Sequence, residues 1–146
     1  MKVSADFGPQ SAEWSQVLAL DLQFMPQPWS ETQWRELNSH DRVCLLIEDE
    51  ALVGFALHRL SPWEGLAHLF KITLHPDHRG GGKAQKFWLE QEDYLRTEKI
   101  ARVFLEVAVS NTTAAGFYRK LGFQILRRIP GFYSNGDEAF SMEKLI

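Results

Sequence analysis

The chain has 146 residues, 45% of them hydrophobic and 24% charged, enough to bury one sizeable core and too few for two, so residues 1–146 read as a single domain. A formal net charge of −3 with no Lys/Arg stripe excludes a nucleic-acid surface as the main partner, the pair Arg127-Arg128 being too short to follow a phosphate backbone. One cysteine, Cys44, excludes a disulfide framework and any paired-cysteine zinc site; it stands in the apolar run Val43 to Ile47 and reads as core, not nucleophile. The five histidines offer no His-x-x-x-His spacing, so no metal is assigned. No apolar stretch is long enough to span a bilayer and Met1-Lys2 leads into no signal-peptide core, which makes the cytoplasm the expected location and a membrane no partner.

In chain order, Met1 to Phe7 suggests a short strand, and Ser11 after Pro9-Gln10 suggests a helix cap with a helix running to about Phe24. Trp14, Val17, Leu18 and Leu22 are its expected buried stripe. Pro26-Gln27-Pro28 stops it. Ser30 with Gln33 is a capping box for a second short helix to about Asn38, with Trp29 placed to staple Trp34. Val43 to Glu48 and Leu52 to Leu60 read as strands joined by a tight hairpin at Asp49-Glu50, and Leu66 to Leu74 as a third strand. A helix with Ala84, Phe87, Trp88, Gln91 and Leu95 on one face ends near Lys99. Ala101 to Val109 must then cross back and lie parallel to the preceding strand. A helix from Asn111 to Leu121 ends at Gly122 as a left-handed cap, and strands Phe123 to Ile129 and Glu138 to Lys144 flank a hairpin turn at Ser134 to Asp137. The sum is an α/β (α+β) fold: a mixed, mostly antiparallel sheet of about six or seven strands with helices on both faces.

Three features carry chemistry. Arg79, Gly80, Gly81, Gly82, Lys83, Ala84 and Gln85 join a strand to a helix, and glycines there leave main-chain N–H groups free to meet an anion at the positive end of the helix dipole. Neither familiar phosphate loop fits: a Walker loop needs Gly at Asp77 and Ser or Thr at Ala84, and a dinucleotide fingerprint needs Gly at Gln85. Glu106 lies in Val103 to Val109, a run apolar on both faces as in a strand covered on each side, where a carboxylate must find a partner or lose its charge more readily. Tyr118 sits on the helix whose core stripe is Ala114, Phe117 and Leu121.

Together these segments resemble the GNAT acetyltransferase superfamily over most of the chain. Arg79, Gly82 and Ala84 match the Arg/Gln-x-x-Gly-x-Gly/Ala loop, and Leu105-Glu106-Val107 with Asn111, Ala114 and Phe117-Tyr118-Arg119-Lys120-Leu121-Gly122-Phe123 match the downstream strand and helix. Within the superfamily, Pro28-Trp29-Ser30, Leu69 to Pro76 and Leu105-Glu106-Val107 are most similar to the bacterial ribosomal-protein-alanine N-acetyltransferases, the RimI-like group. Lys86, Pro130-Gly131 and Phe132-Tyr133 depart from that group, the last two where an acceptor would lie.

The resemblance implies that acetyl-CoA lies between two splayed parallel strands, Leu66 to Leu74 and Ala101 to Val109. The main chain of Ile72, Thr73 and Leu74 would pair with its pantetheine, Gly80 to Gln85 would hold its pyrophosphate, and Asn111 would reach it by its side-chain amide. It implies further that Glu106 is the general base, directly or through water, and Tyr118 the general acid for direct transfer to an amine. An α-amine is about 3 kcal/mol easier to bring to the neutral form at pH 7 than a lysine, from reference values near 8 and 10.4. That favours a protein N-terminus, such as a ribosomal protein's N-terminal alanine, or a small-molecule α-amine over a lysine. A small-molecule amine and a non-catalytic acyl-CoA-binding module are the alternatives, and oligomeric state stays open.

Overall fold

The computed structural model describes residues 1–146. Its strands are β1 (Lys2–Ser4), β2 (Asp41–Glu48), β3 (Ala51–Ser61), β4 (Leu66–Leu74), β5 (Arg102–Ala108), β6 (Gln124–Ile129) and β7 (Ala139–Leu145); its helices are α1 (Trp14–Phe24), α2 (Glu31–Arg35), α3 (Lys83–Thr97) and α4 (Thr112–Lys120). The seven strands form one sheet in the order β1-β2-β3-β4-β5-β7-β6. Every neighbouring pair is antiparallel except β4 and β5, which are parallel because α3 carries the chain back to the starting edge between them. The hairpin between β2 and β3 turns at Asp49 and Glu50, both at positive φ (50° and 65°), a pair of conformations whose twist matches the flanking strands.

Side chains alternate across the sheet and fill two apolar layers. Phe7, Trp14, Val17, Leu20, Trp34, Val43, Leu45, Phe55 and Leu57 pack beneath α1 and α2. Cys44, Ala56, Phe87, Trp88, Leu95, Val103, Leu105, Leu121 and Met142 pack beneath α3 and α4. The buried stripe of α1 departs from expectation. Leu22 is exposed, and Leu20 and Asp21 are buried in its place. Trp14, Val17 and Asp21 share one helical face, and Asp21 is drawn inward by partners in the sheet and α2.

Local signals at the helix ends hold unevenly. Ser11 does not cap α1; its Oγ accepts from the Gly8 N–H at 3.0 Å, closing a turn, and the helix starts at Trp14. Ser30 and Gln33 do form the capping box, and Trp29 packs on Trp34 with ring centroids 5.2 Å apart, although α2 stops at Arg35. At the end of α4, Gly122 has φ +101°, with Gly122 N–H donating to Arg119 O and Phe123 N–H to Tyr118 O, both at 3.0 Å, the paired bonds of a glycine C-cap. Strands β6 and β7 close at Ile129 and Ala139, so residues 130–138 form a loop. The expected turn survives inside it, with Gly136 N–H donating to Tyr133 O at 2.9 Å.

Candidate active site

The site begins where two strands part. β4 and β5 pair only through Leu66 with Arg102, Ala67 with Val103 and His68 with Phe104. Beyond that point β4 stays on β3 and β5 stays on β7, so a gap opens between them. Its cause lies in β4: the register with β3 jumps from Leu57–Lys71 to His58–Leu69, leaving Phe70 as an extra residue. A bulge of this kind bends its strand. The bend falls directly after the last β4–β5 pair.

The edge of β4 facing the gap is selective about which main-chain groups it offers. His75 N–H donates to Val53 O at 2.7 Å, so by the two-residue period of an antiparallel ladder Thr73 also turns its main chain toward β3, whereas Ile72 and Leu74 turn theirs into the gap. Thr73 is thereby removed from the expected pairing edge, although it still lines the cavity. Leu74 O accepts from Arg79 Nε at 2.9 Å, which ties the start of the glycine loop to the strand.

Gly80, Gly81 and Gly82 have φ of 91°, 62° and 76°. A Cβ at any of them would meet nothing within 4 Å, so glycine is required there by backbone conformation rather than by crowding. Lys83 N–H donates to Gly80 O and Lys86 N–H to Gly82 O, while the N–H groups of Gly80, Gly81, Gly82, Ala84 and Gln85 have no partner in the chain. Five free donors at the mouth of a helix of this length make an anion cradle. The Lys83 side chain is turned aside, its Nζ 2.8 Å from Glu48 Oε2, and this contact holds the Glu48 carboxyl below the usual carboxylate range. At the other end of the gap Asn111 lines the cavity and caps α4, its Oδ1 accepting from Ala114 N–H at 3.1 Å, with its Nδ2 left without a partner in the chain.

A cavity of about 670 Å³ runs through the gap. Arg79, Gly80, Ala84, Ile72, Thr73, Leu74, Asn111, Glu106 and Tyr118 line it; Gly81, Gly82, Lys83 and Gln85 lie outside its walls. Glu106 and Tyr118 stand on opposite faces of the sheet. Val103, Leu105 and Val107 are buried in the layer under α3 and α4, so Phe104, Glu106 and Ala108 point to the α1/α2 side. β5 is therefore covered on one face only, and its other face is a cavity wall, which corrects the expectation of a strand buried on both sides. Glu106 has found a partner: its Oε2 lies 2.6 Å from His68 Nε2. His68 is held between two rings, 4.1 Å from Phe104 and 4.2 Å from Phe70. Tyr118, on α4, packs edge-on to Phe123 and beside Phe117, and burial pushes its phenol above the ordinary range, so the hydroxyl keeps its proton. Tyr133 is raised as well, by burial first and then by the charge of Glu106.

His68 went unnoticed in the sequence because nothing near it in the chain marks it; it meets Glu106 only through the parallel register, 38 residues away. The rest of the wall is mostly apolar, with Phe24, Met25, Pro26, Trp29, Phe70 and Phe132, interrupted by Gln27 and Tyr133. Glu106 is the one carboxylate in the lining. Lys71, also in it, is paired with Asp21, and burial pushes its ammonium down against that partner's pull. Cys44 lies elsewhere, fully buried, its thiol pushed up to about 12 by burial.

The sequence pattern of the acetyltransferase (GNAT) family matches residues 12–123. The catalytic subunit naa20 of the N-terminal acetyltransferase B complex of Schizosaccharomyces pombe is 32% identical over 122 residues, covering 74% of this chain and 66% of that protein. The [ribosomal protein bS18]-alanine N-acetyltransferase of Salmonella typhimurium is 31% identical over 97 residues, covering 66% and 64%. The chain thus spans just under two thirds of the length of either relative. A streptothricin acetyltransferase of Streptomyces lavendulae is 30% identical over 98 residues, covering 64% and 52%. In fold, the crystal structure of the ribosomal-protein-S18-alanine N-acetyltransferase from Escherichia coli superposes with a TM-score of 0.80 at 22% identity, over 99% of this chain and 93% of that one. With the family pattern running through the glycine loop, the parted strands and α4, the chain belongs to the acetyltransferase (GNAT) family, whose co-substrate is acetyl-CoA.

Proposed function

We propose that this protein is an acyltransferase that moves acetyl from acetyl-CoA directly to a free N-terminal α-amine of a polypeptide. The observation that carries the reading is the Glu106 carboxylate, oriented by His68 on the α1/α2 side of the gap, across the sheet from the Tyr118 hydroxyl. Acetyl-CoA supplies an activated acyl group with a thiolate as leaving group. The free N–H groups of Gly80, Gly81, Gly82, Ala84 and Gln85 suit its pyrophosphate, and the main chain of Ile72 with the N–H of Leu74 suits an extended arm added along the open edge of β4. Glu106 takes the proton of the attacking amine, its Oε2 held by His68 so that Oε1 is left for the acceptor. Tyr118, kept protonated because burial raises its phenol, gives its proton to the departing sulfur. Acid and base on opposite faces of one opening suit an acceptor that enters from the side away from the cofactor.

An α-amine suits a single carboxylate, being about 3 kcal/mol easier to deprotonate than a lysine. The ribosomal-protein-alanine and N-terminal acetyltransferases among the relatives are named for such acceptors. The streptothricin acetyltransferase favours a second reading, a small basic metabolite. A polycation, however, would meet only one carboxylate here, among mostly apolar walls. The test is a panel with acetyl-CoA: peptides with a free α-amine, the same peptides blocked at the N-terminus but carrying lysine, and a polyamine. Turnover of the free peptides, lowered in Glu106→Gln by about 100-fold or more, is expected. Equal turnover by Glu106→Gln removes the carboxylate from its role, and turnover of the polyamine alone selects the second reading.

A further inference from the structure

Lys71 and Asp21 form an ion pair that the chemistry above does not use. Lys71 is 3% exposed and Asp21 0%. Lys71 Nζ donates to Asp21 Oδ1 at 2.7 Å and to the main-chain oxygen of Gln27 at 2.9 Å, and lies over the rings of Trp29 (5.0 Å) and Trp34 (5.8 Å). Asp21 Oδ2 accepts from Trp29 N–H at 2.8 Å and from Trp34 Nε1–H at 2.9 Å. The pair therefore joins four places: α1 through Asp21, the segment 25–29 through Gln27 and Trp29, α2 through Trp34, and β4 through Lys71.

Two features make this a device for geometry. The segment 25–29 carries Pro26 and Pro28, which lack main-chain donors and keep it out of helix and ladder, so Gln27 O and Trp29 N–H, the groups the pair engages, anchor it. Lys71 directly follows Phe70, the bulged residue, so the far end of the tie is fixed at the point where β4 bends from β5. A buried ion pair often stabilises a fold no better than apolar residues of the same volume, and what this one adds is geometric: its four hydrogen bonds to separate segments are each met at one distance.

We infer that the Asp21–Lys71 pair positions the acceptor wall: it holds Met25, Pro26 and Trp29 at a set distance from Phe70 and Glu106 and so governs how tightly an acceptor is bound. Lys71 is a positioning residue that never touches the reacting amine. The inference rests on reading this side of the cavity as the acceptor cleft. Its test is the double variant Asp21→Asn/Lys71→Met, in which the new amide still accepts from Trp29 and Trp34 while the tie to β4 is gone. With a short peptide bearing a free N-terminal alanine, KM for the peptide rises about tenfold, the loss of a charged hydrogen-bond pair, while kcat and KM for acetyl-CoA stay within about twofold. Amide exchange quickens over residues 25–29 and not over β3. An unchanged peptide KM overturns the inference, as does an equal loss in kcat and in both KM values, which would mark general damage. If the double variant is too unstable to assay, Lys71→Gln is measured in the same way, with the same split required. Failure of the wild-type protein to acetylate any free-amine peptide removes the acceptor reading itself and this inference with it; a wild-type peptide KM in the variants removes the inference alone.

Discussion

The two halves of the cavity are built from different materials. Under the proposed reading, the donor half, from the glycine loop along β4 to Asn111, offers main-chain groups: free N–H at Gly80, Gly81, Gly82, Ala84 and Gln85 and the open edge at Ile72 and Leu74. The acceptor half of that reading offers side chains: Phe24, Met25, Trp29, Phe70 and Phe132 around Glu106 and His68. Main-chain recognition depends on backbone conformation, so a short motif of glycines and a strand suffices to specify it. Side-chain recognition depends on which residues three separate segments bring together, so the same donor site can serve many acceptors.

The sharpest way to break this contrast is at the carboxylate and the phenol between the halves. After Glu106→Gln, the next largest effect is expected from Tyr118→Phe, which removes the proton for the leaving sulfur and lowers kcat by about 100-fold with KM for either substrate nearly unchanged. A rate unaffected by the loss of the hydroxyl would leave the departing thiolate to water. In the donor half, Gly81→Val forces a β-branched residue to φ 62°, a cost of about 1–2 kcal/mol, and KM for acetyl-CoA should rise about tenfold while peptide KM holds. If peptide KM rises equally, the halves are not separable.

The last effect is on stability and leaves the contrast between the halves untouched; it concerns the layer under α3, which carries the glycine loop. His58 is fully buried with Nε2 2.8 Å from Gln91 Oε1 and Nδ1 without a partner, and burial pushes its ring down to about 4. The unfolded chain, with a histidine near 6.5, binds this proton first. Its contribution is therefore fully favourable above about pH 6.5 and is lost as pH falls toward 4, by up to about 3 kcal/mol at 1.36 per unit. Urea unfolding at pH 7 and pH 5 should show the loss in the wild-type protein and a flatter profile in His58→Asn. A slope unchanged in the variant would assign it to other groups.

Much of this was legible in the chain. Asp49-Glu50, the Ser30/Gln33 box, Gly122 and the three glycines are local signals whose physics is complete within a few residues, and each appears where expected. The face of α1 was misread because Asp21 is polar by type and buried only by its partners Lys71, Trp29 and Trp34. Thr73 was counted with Ile72 and Leu74 because an apolar run does not show which way each main-chain group turns; the ladder with β3 does.

The order of the elements, the glycine corner at Gly80 to Gly82 and the place of Glu106 and Tyr118 on their strand and helix follow from the chain alone, since periodicity, caps and positive φ act over short range. That Phe70 bulges, that β4 and β5 part just beyond His68, that His68 pairs with Glu106, and that Lys71 ties the segment 25–29 to the sheet are settled in three dimensions. Those depend on register and on pairs far apart in the chain, which no local pattern encodes.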